Sequence, residues 1–202
     1  MFFRGGIYHK SLSEPGSYFH VDGSGYKVTV DGSSGKNICF LNYPGETPVL
    51  DHDRIASYPG YLHTGIHASD VNYVKFRGLH IRNIRQTNGD DQCKGFLIDA
   101  SHTVVEQCVA YNIHGIGFQD WSGDELYFIN CDAYNCIDEL SIPDPGNDGY
   151  GFASWNGNNQ AGSTYFRGCR AWNCGNDGWA MWNVAYVDIQ GCWSFDNGAL
   201  QG

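Results

Sequence analysis

The chain has 202 residues and a formal net charge of −10, with 27 glycines, 15% aromatic residues and only 17% charged residues. This length is sufficient for one domain with a buried core, and the composition is typical of a turn-rich all-β protein. The negative charge excludes nucleic acid as a partner, because little here would neutralise phosphates. No apolar stretch is long enough for membrane insertion.

One short phrase recurs five times along the chain. It reads FRGLHIRNI, VEQCVAYNI, FINCDAYNC, FRGCRAWNC and IQGCWSFDN, and its anchor positions are Leu79, Cys108, Cys131, Cys169 and Cys192. Two of the four spacings between anchors are 23 residues, and the other two are 29 and 38 residues. Such spacings indicate a solenoid whose fixed unit carries two inserted loops.

Each unit contains three predicted strands. Residues three and five before the anchor alternate as inward-facing strand positions, and a polar or glycine pair then bends the chain into a second strand. An Asn or Asp follows four residues after each anchor, where we expect a tight turn and a ladder of stacked side chains: Asn83, Asn112, Asn135, Asn173 and Asp196. A third strand follows a glycine, as in GFLIDAS (95–101) and GYGFASW (149–155).

Three short strands in a unit of about 23 residues, with no helical periodicity, predict an all-β fold. The fold class is a single-stranded right-handed parallel β-helix, and an antiparallel sandwich is the alternative.

The eight cysteines fall largely in columns of this solenoid. Four are anchors, and Cys136 and Cys174 share a second column. Neighbouring strands lie about 4.8 Å apart, which is within the Cα separation that a disulfide accepts. We favour a reduced ladder of small buried side chains instead. The CxxxxC spacing does not match a zinc site.

Several stretches resemble the β-helix of family 9 pectate lyases and related proteins from secreting bacteria. They are NDGYGFASW (147–155), YFRGCRAWNCGNDGWAMW (165–182) and GCWSFDNGALQG (191–202), and the opening FFRGGIYHKSL (2–12) with VTVDGSSGKNICFLNYPGETPVLD (28–51) is similar to the first coils. The resemblance implies one β-helix domain over residues 1–202, which we expect to be a fragment without terminal caps. It also implies a secreted or cell-surface protein, although the sequence shows no signal peptide.

The resemblance implies chemistry that this sequence keeps only in part. Lyases of this family abstract a proton with a lysine, but the matching position here is Ala153 or Trp155, and neither can act as a base. We therefore assign no catalytic residue. The calcium motif DDGWD reads Asn176-Asp177-Gly178-Trp179-Ala180, so Asp177 and Asn176, with Asn147 and Asp148 on the preceding turn, form a predicted weak calcium site. Turn chemistry is the alternative explanation of both N-D-G sequences.

Outward positions of the third strands provide the candidate binding residues. Trp121, Trp155 and Trp182 would form a platform for sugar rings, with Gln119 and Asp99 beside them. The alternative is that the tryptophans pack under the loops 85–94 and 137–147. A further alternative is a glycoside hydrolase, which uses a pair of carboxylates. Its candidate residues are five acidic side chains and one histidine in or near the loops beside this face: Asp90, Asp91, His114, Asp120, Asp138 and Glu139.

The sequence thus predicts that the protein engages an extracellular polysaccharide and binds it rather than cleaves it. If the protein is active, a lyase-like reaction is expected. An acidic polysaccharide would need a bridging cation such as calcium, because the chain is itself acidic. The alternative is a structural adhesin or filament subunit that self-associates through uncapped ends or through an exterior column of side chains. This column lies three residues after each anchor: Arg82, Tyr111, Tyr134, Trp172 and Phe195. Stacking within the column can also stabilise the solenoid without any partner.

Overall fold

The computed structural model describes residues 1–10, 24–55, 62–90, 92–142, 144–155 and 162–198. In these ranges the chain forms twenty β-strands, and every pair of neighbouring strands within a sheet is parallel. No helix in the described part of the chain has the length and apolarity needed to cross a membrane.

The strands form three parallel sheets, because each turn of the solenoid contributes one strand to each sheet in succession. Sheet 1 contains β1 (Phe2–Phe3), β4 (Ile38–Asn42), β7 (Val74–Arg77), β10 (Val104–Glu106), β13 (Leu126–Ile129), β16 (Ser163–Arg167) and β19 (Tyr186–Gln190). Sheet 2 contains β2 (Gly6–His9), β5 (Pro48–Asp51), β8 (His80–Ile84), β11 (Val109–Ile113), β14 (Asp132–Cys136), β17 (Arg170–Trp172) and β20 (Trp193–Phe195). Sheet 3 contains β3 (Ser24–Val28), β6 (Leu62–Asn72), β9 (Gln92–Ser101), β12 (Gly115–Asp120), β15 (Phe152–Trp155) and β18 (Trp179–Trp182). The predicted parallel β-helix is confirmed.

The corners between sheets 1 and 2 lie where the repeated phrase predicts them. The residue just before each anchor has a positive φ, between 51° and 65°, which turns the chain sharply: Gly78, Gln107, Asn130, Gly168 and Gly191. Glycine and asparagine adopt this left-handed conformation at low cost. The polar or glycine pair before the anchor is therefore explained by the left-handed backbone conformation that the corner requires.

Four of the five residues that lie four after an anchor form the predicted ladder. Asn83, Asn112, Asn135 and Asn173 all have φ between 51° and 61°. The side-chain amides of Asn112, Asn135 and Asn173 each donate to the side-chain oxygen of the asparagine one turn earlier, at 3.3, 3.0 and 2.6 Å respectively. Asn83 donates in turn to the Asp51 carboxylate at 2.8 Å. The ladder ties successive turns together where the chain leaves sheet 2.

Stacked aromatic rings fill the interior behind sheet 3. Phe96, Phe118, Phe152 and Trp179 lie on successive turns, with ring centroids 4.7 to 5.0 Å apart and nearly parallel planes. A second stack, which contains Phe128 and Phe166, meets the first edge to face. These stacks and the buried anchors form one continuous apolar core, which sets the positions of the outward-facing residues on the same strands.

The exterior aromatic column on sheet 2 is also formed. Tyr111, Tyr134, Trp172 and Phe195 stack with centroids 4.6 to 5.7 Å apart. The Arg82 guanidinium lies 5.9 Å from the Tyr111 ring and donates to its hydroxyl. Stacking of this kind stabilises neighbouring turns by about 0.5–1.5 kcal/mol per pair, which accounts for the column without a partner.

Candidate functional site

Three tryptophans form a row on the outer face of sheet 3. Trp155 pairs directly with Trp182 in the parallel register. Trp121 follows Asp120, which pairs with Ser154, so it lies opposite Trp155 on the preceding turn. The three side chains are 38%, 40% and 38% exposed, and their neighbouring ring centroids are 5.5 and 5.9 Å apart. The rings are therefore partly exposed at the surface.

A buried tyrosine holds one end of this row. Tyr150 packs edge to face against Trp182 at 5.0 Å and 74°, and its hydroxyl accepts a hydrogen bond from the Asn176 side chain at 3.1 Å. Burial raises the pKa of Tyr150 to about 12, so the phenol is neutral near neutral pH. Tyr150 belongs to a small buried cluster on the outer face of sheet 3, with Ile116, Ala153 and Ala180.

A cleft of about 230 Å³ opens beside Trp121. Its walls include His67, Lys94, Leu97 and Asp99 on strands β6 and β9. The cleft combines an aromatic wall with a cation, an imidazole and a carboxyl group. Apolar walls with a few convergent polar groups are typical of ligand sites.

Lys94 is a residue of this cleft that the sequence analysis did not identify as functional. It is 3% exposed, and its ammonium donates to the Gln92 side chain at 3.2 Å. Burial lowers its pKa to about 8, although the nearby Asp148 carboxylate acts in the opposite direction. A tenth or so of the amine is therefore neutral near pH 7. The lowered pKa of Lys94 results from its burial in the folded protein, which the sequence alone does not show.

The two polar residues predicted to accompany the tryptophans differ in their surroundings. Asp99 is half-buried, accepts a hydrogen bond from Ser122 and lines the cleft. Burial raises the pKa of the Asp99 carboxyl. Gln119 is only 1% exposed, which corrects the expectation that it faces solvent. It lies between Leu97 and Ala153 in the sheet register, where the outer face is covered.

The four predicted calcium ligands differ in their surroundings. Asp148 and Asn147 line a polar cavity of about 240 Å³ with Asp90 and Asp144. Asn176 instead donates to the Asn147 backbone oxygen and to Tyr150, and Asp177 is exposed.

Among the described residues, one group of three acidic or histidine side chains has its possible metal-ligand atoms within 4.8 Å of one another. It consists of His9, Asp51 and Asp53. Asp51 already accepts hydrogen bonds from Arg82 and Asn83 there. Calcium at the four predicted ligands stays a prediction, and we derive no calcium-dependent step.

The glycosidase alternative loses two of its carboxylates. Asp120 points into the solenoid interior, where it accepts hydrogen bonds from Ser154 and Thr164. Asp138 is also buried and accepts a hydrogen bond from the Asp148 backbone. Both carboxylates accept hydrogen bonds within the protein, and neither lines the cleft beside Trp121, so the structure does not bring the two together there as a catalytic pair.

Comparison with solved structures shows similarity to polysaccharide lyases. A rhamnogalacturonan lyase is 25% identical with a TM-score of 0.81, over 96% of this chain and 48% of that chain. Pectate lyase Pel9A is 22% identical with a TM-score of 0.71, over 98% and 45% of the two chains. An alginate lyase from Paenibacillus sp. str. FPU-7 is 13% identical with a TM-score of 0.62, over 93% and 58%. The last two show the fold alone.

The chain spans about half the length of the rhamnogalacturonan lyase that it matches. A search of the curated proteins returned no match. The family model described as the Pel9A-like, right handed beta helix region matches residues 1–202. Because that match covers the whole chain, the protein belongs to the Pel9A-like right-handed β-helix family.

Proposed function

We propose that this protein binds a polysaccharide along the tryptophan row of sheet 3, and that it does so outside the cell. The observation that carries the proposal is the row itself, in which three exposed indole rings lie in register on successive turns. Indole faces pack against the apolar faces of sugars, while the polar groups of the adjacent cleft can bond to hydroxyl or carboxylate groups. The similarity to a rhamnogalacturonan lyase supports this class of ligand.

Replacing Trp155 with alanine should weaken polysaccharide binding about tenfold, because the central ring contacts both neighbours and its loss divides the row. A glycan array identifies the ligand, and titration calorimetry measures the affinities. Trp193→Ala is the matched control, since Trp193 is exposed on sheet 2, away from the row. Equal affinities for wild type and Trp155→Ala would remove the row from the binding site.

Cleavage is the second candidate function, and Lys94 is the observation that favours it. A neutral lysine amine can take the proton from the carbon next to a uronate carboxylate. The electron pair of that C–H bond then forms the new carbon–carbon double bond, and the glycosidic oxygen leaves with its bonding pair. Lys94 lies in the cleft beside Trp121, whereas Ala153 and Trp155, at the family lysine position, cannot perform this step.

Cleavage by Lys94 predicts a rate that rises with pH and levels off above about 8, the pKa of the base. The absorbance of unsaturated uronate follows the product on pectate and alginate. Lys94→Met should lower the rate by about a hundredfold or more, while Lys75→Met, on sheet 1, should leave it unchanged. Absence of product from the wild type across the pH range would eliminate cleavage and leave the binding proposal standing.

A further inference from the structure

The tryptophan row has a direction that constrains how a chain-like ligand can lie. Its rings belong to successive turns, so the row runs along the solenoid axis. Neighbouring strands lie about 4.8 Å apart, which is close to the length of one sugar unit in a glycan chain. A glycan lying along the axis would meet one indole per sugar, whereas a glycan lying across the axis would meet one indole only.

The indole planes are not parallel, and this is the second constraint. Trp121 and Trp155 are inclined at 43°, and Trp155 and Trp182 at 61°. A flat twofold glycan ribbon keeps its sugar planes parallel, so its rings could lie flat on only one indole at a time. In a helical glycan each sugar plane is inclined to the next, which allows successive sugars to follow the inclined indoles.

The inclination is held by the protein itself. Tyr150 is buried and fixed by its hydrogen bond from Asn176, and it packs edge to face against Trp182. Trp182 packs edge to face against Trp155 in turn. The orientations of Trp182 and Trp155 are therefore constrained before a ligand arrives, and preorganisation of this kind lowers the entropic cost of binding.

We propose that the tryptophan row selects a helically twisted glycan strand that lies along the solenoid axis, with one sugar on each turn, over a flat ribbon. This inference rests on the proposed polysaccharide binding and adds to it the conformation and direction of the ligand. The selection arises from the ring inclinations and not from charge, so it should hold within pairs of glycans that differ only in shape.

The test uses two pairs of soluble hexasaccharides, each matched in charge and length. Maltohexaose is helical and cellohexaose is a flat ribbon, and both are neutral glucans. Hexagalacturonate is helical and hexamannuronate is a flat ribbon, and both are uronates. Calorimetry should show the helical member binding about tenfold more tightly in whichever pair binds. A flat member that binds equally or more tightly, or the binding of neither pair, would overturn the inference. The polysaccharide proposal is decided separately by the glycan array, and binding there to no glycan would refute it.

Chain length and two variants give an independent readout. Affinity for the helical series should increase up to the trisaccharide and then stay level, and Trp182→Ala should move that limit to the disaccharide.

Tyr150→Ala frees the Trp182 ring and should reduce the preference for the helical member, while Tyr150→Phe keeps the ring contact and the preference. Because Trp182 is exposed, its variant should remain folded even where Tyr150→Ala does not. An unchanged length limit in Trp182→Ala would contradict binding of one sugar on each turn.

Discussion

Replacing Phe152 with alanine is expected to lower the free energy of unfolding by about 3–5 kcal/mol, the usual range for a fully buried phenylalanine. The Phe152 ring is stacked between Phe118 and Trp179 at 5.0 and 4.9 Å. It also contacts Phe128 and Phe166 edge to face. The substitution therefore opens a cavity at the point where the two interior stacks meet.

Urea denaturation followed by circular dichroism measures this loss. Phe195→Ala is the matched control, because Phe195 is half exposed on the last described strand, and its loss should cost about 1.5 kcal/mol or less. Solenoid units contact mainly their neighbours, so the Phe152 variant is also expected to broaden the transition. A loss as small as that of the control would mean that the interior stack does not hold the solenoid together.

The same strand connects this core to the binding surface. Phe152 points inward and Trp155, three residues later at the end of β15, faces out. The register that stacks Phe152 between Phe118 and Trp179 also places Trp155 opposite Trp182. A single in-register repeat thus builds both the interior stack and the exterior row, and an error in register would disrupt both.

This coupling explains how much of the molecule could be predicted from the sequence. The corners, the asparagine ladder and the inward positions follow from local rules, since an Asn at positive φ and a period of two leave traces within a few residues. The row at Trp121, Trp155 and Trp182 could be predicted because it occupies one position in successive repeats. The sequence left open whether its rings are exposed or packed under loops, and in the structure they are about two-fifths exposed.

The remaining site residues depend on contacts between distant parts of the chain. Gln119 occupies an outward strand position, yet it is buried. Lys94 lies two residues before the inward Phe96, yet it lines the outer cleft while buried. Alternation along a strand cannot show that an outer face is covered. Tyr150, which precedes β15, forms a buried cluster with Ile116 from β12. The lowered pKa of Lys94 is likewise a product of burial, so no sequence signal could have identified it.

Asp120 shows the opposite error, because a carboxylate expected near the surface lies inside the solenoid. Its Oδ2 accepts hydrogen bonds from the hydroxyls of Ser154 and Thr164 at 2.7 and 2.5 Å, and Oδ1 accepts one from the Gly123 backbone at 3.1 Å. Asp120→Ala removes the common acceptor of three buried donors. We expect it to lower the free energy of unfolding by about 3 kcal/mol or more, since each buried donor left unpaired costs about 1–3 kcal/mol.

The pH dependence of stability tests the environment of Asp120 separately. Burial raises its pKa above the ordinary value of 3.8, and the hydroxyl donors only partly offset this. The folded state therefore binds this proton more tightly than the unfolded state. The resulting stabilisation is complete below pH 3.8 and is lost as pH rises through the higher pKa of the folded state.

Asp120→Asn keeps the shape of the side chain but does not titrate. The unfolding free energy of the wild type minus that of this variant should therefore decrease from about pH 3 to about pH 7. The contributions of the other carboxylates cancel in this comparison. Urea denaturation at several pH values measures that difference. A difference that grows with pH would mean that the three donors stabilise the ionised carboxylate by more than its burial costs.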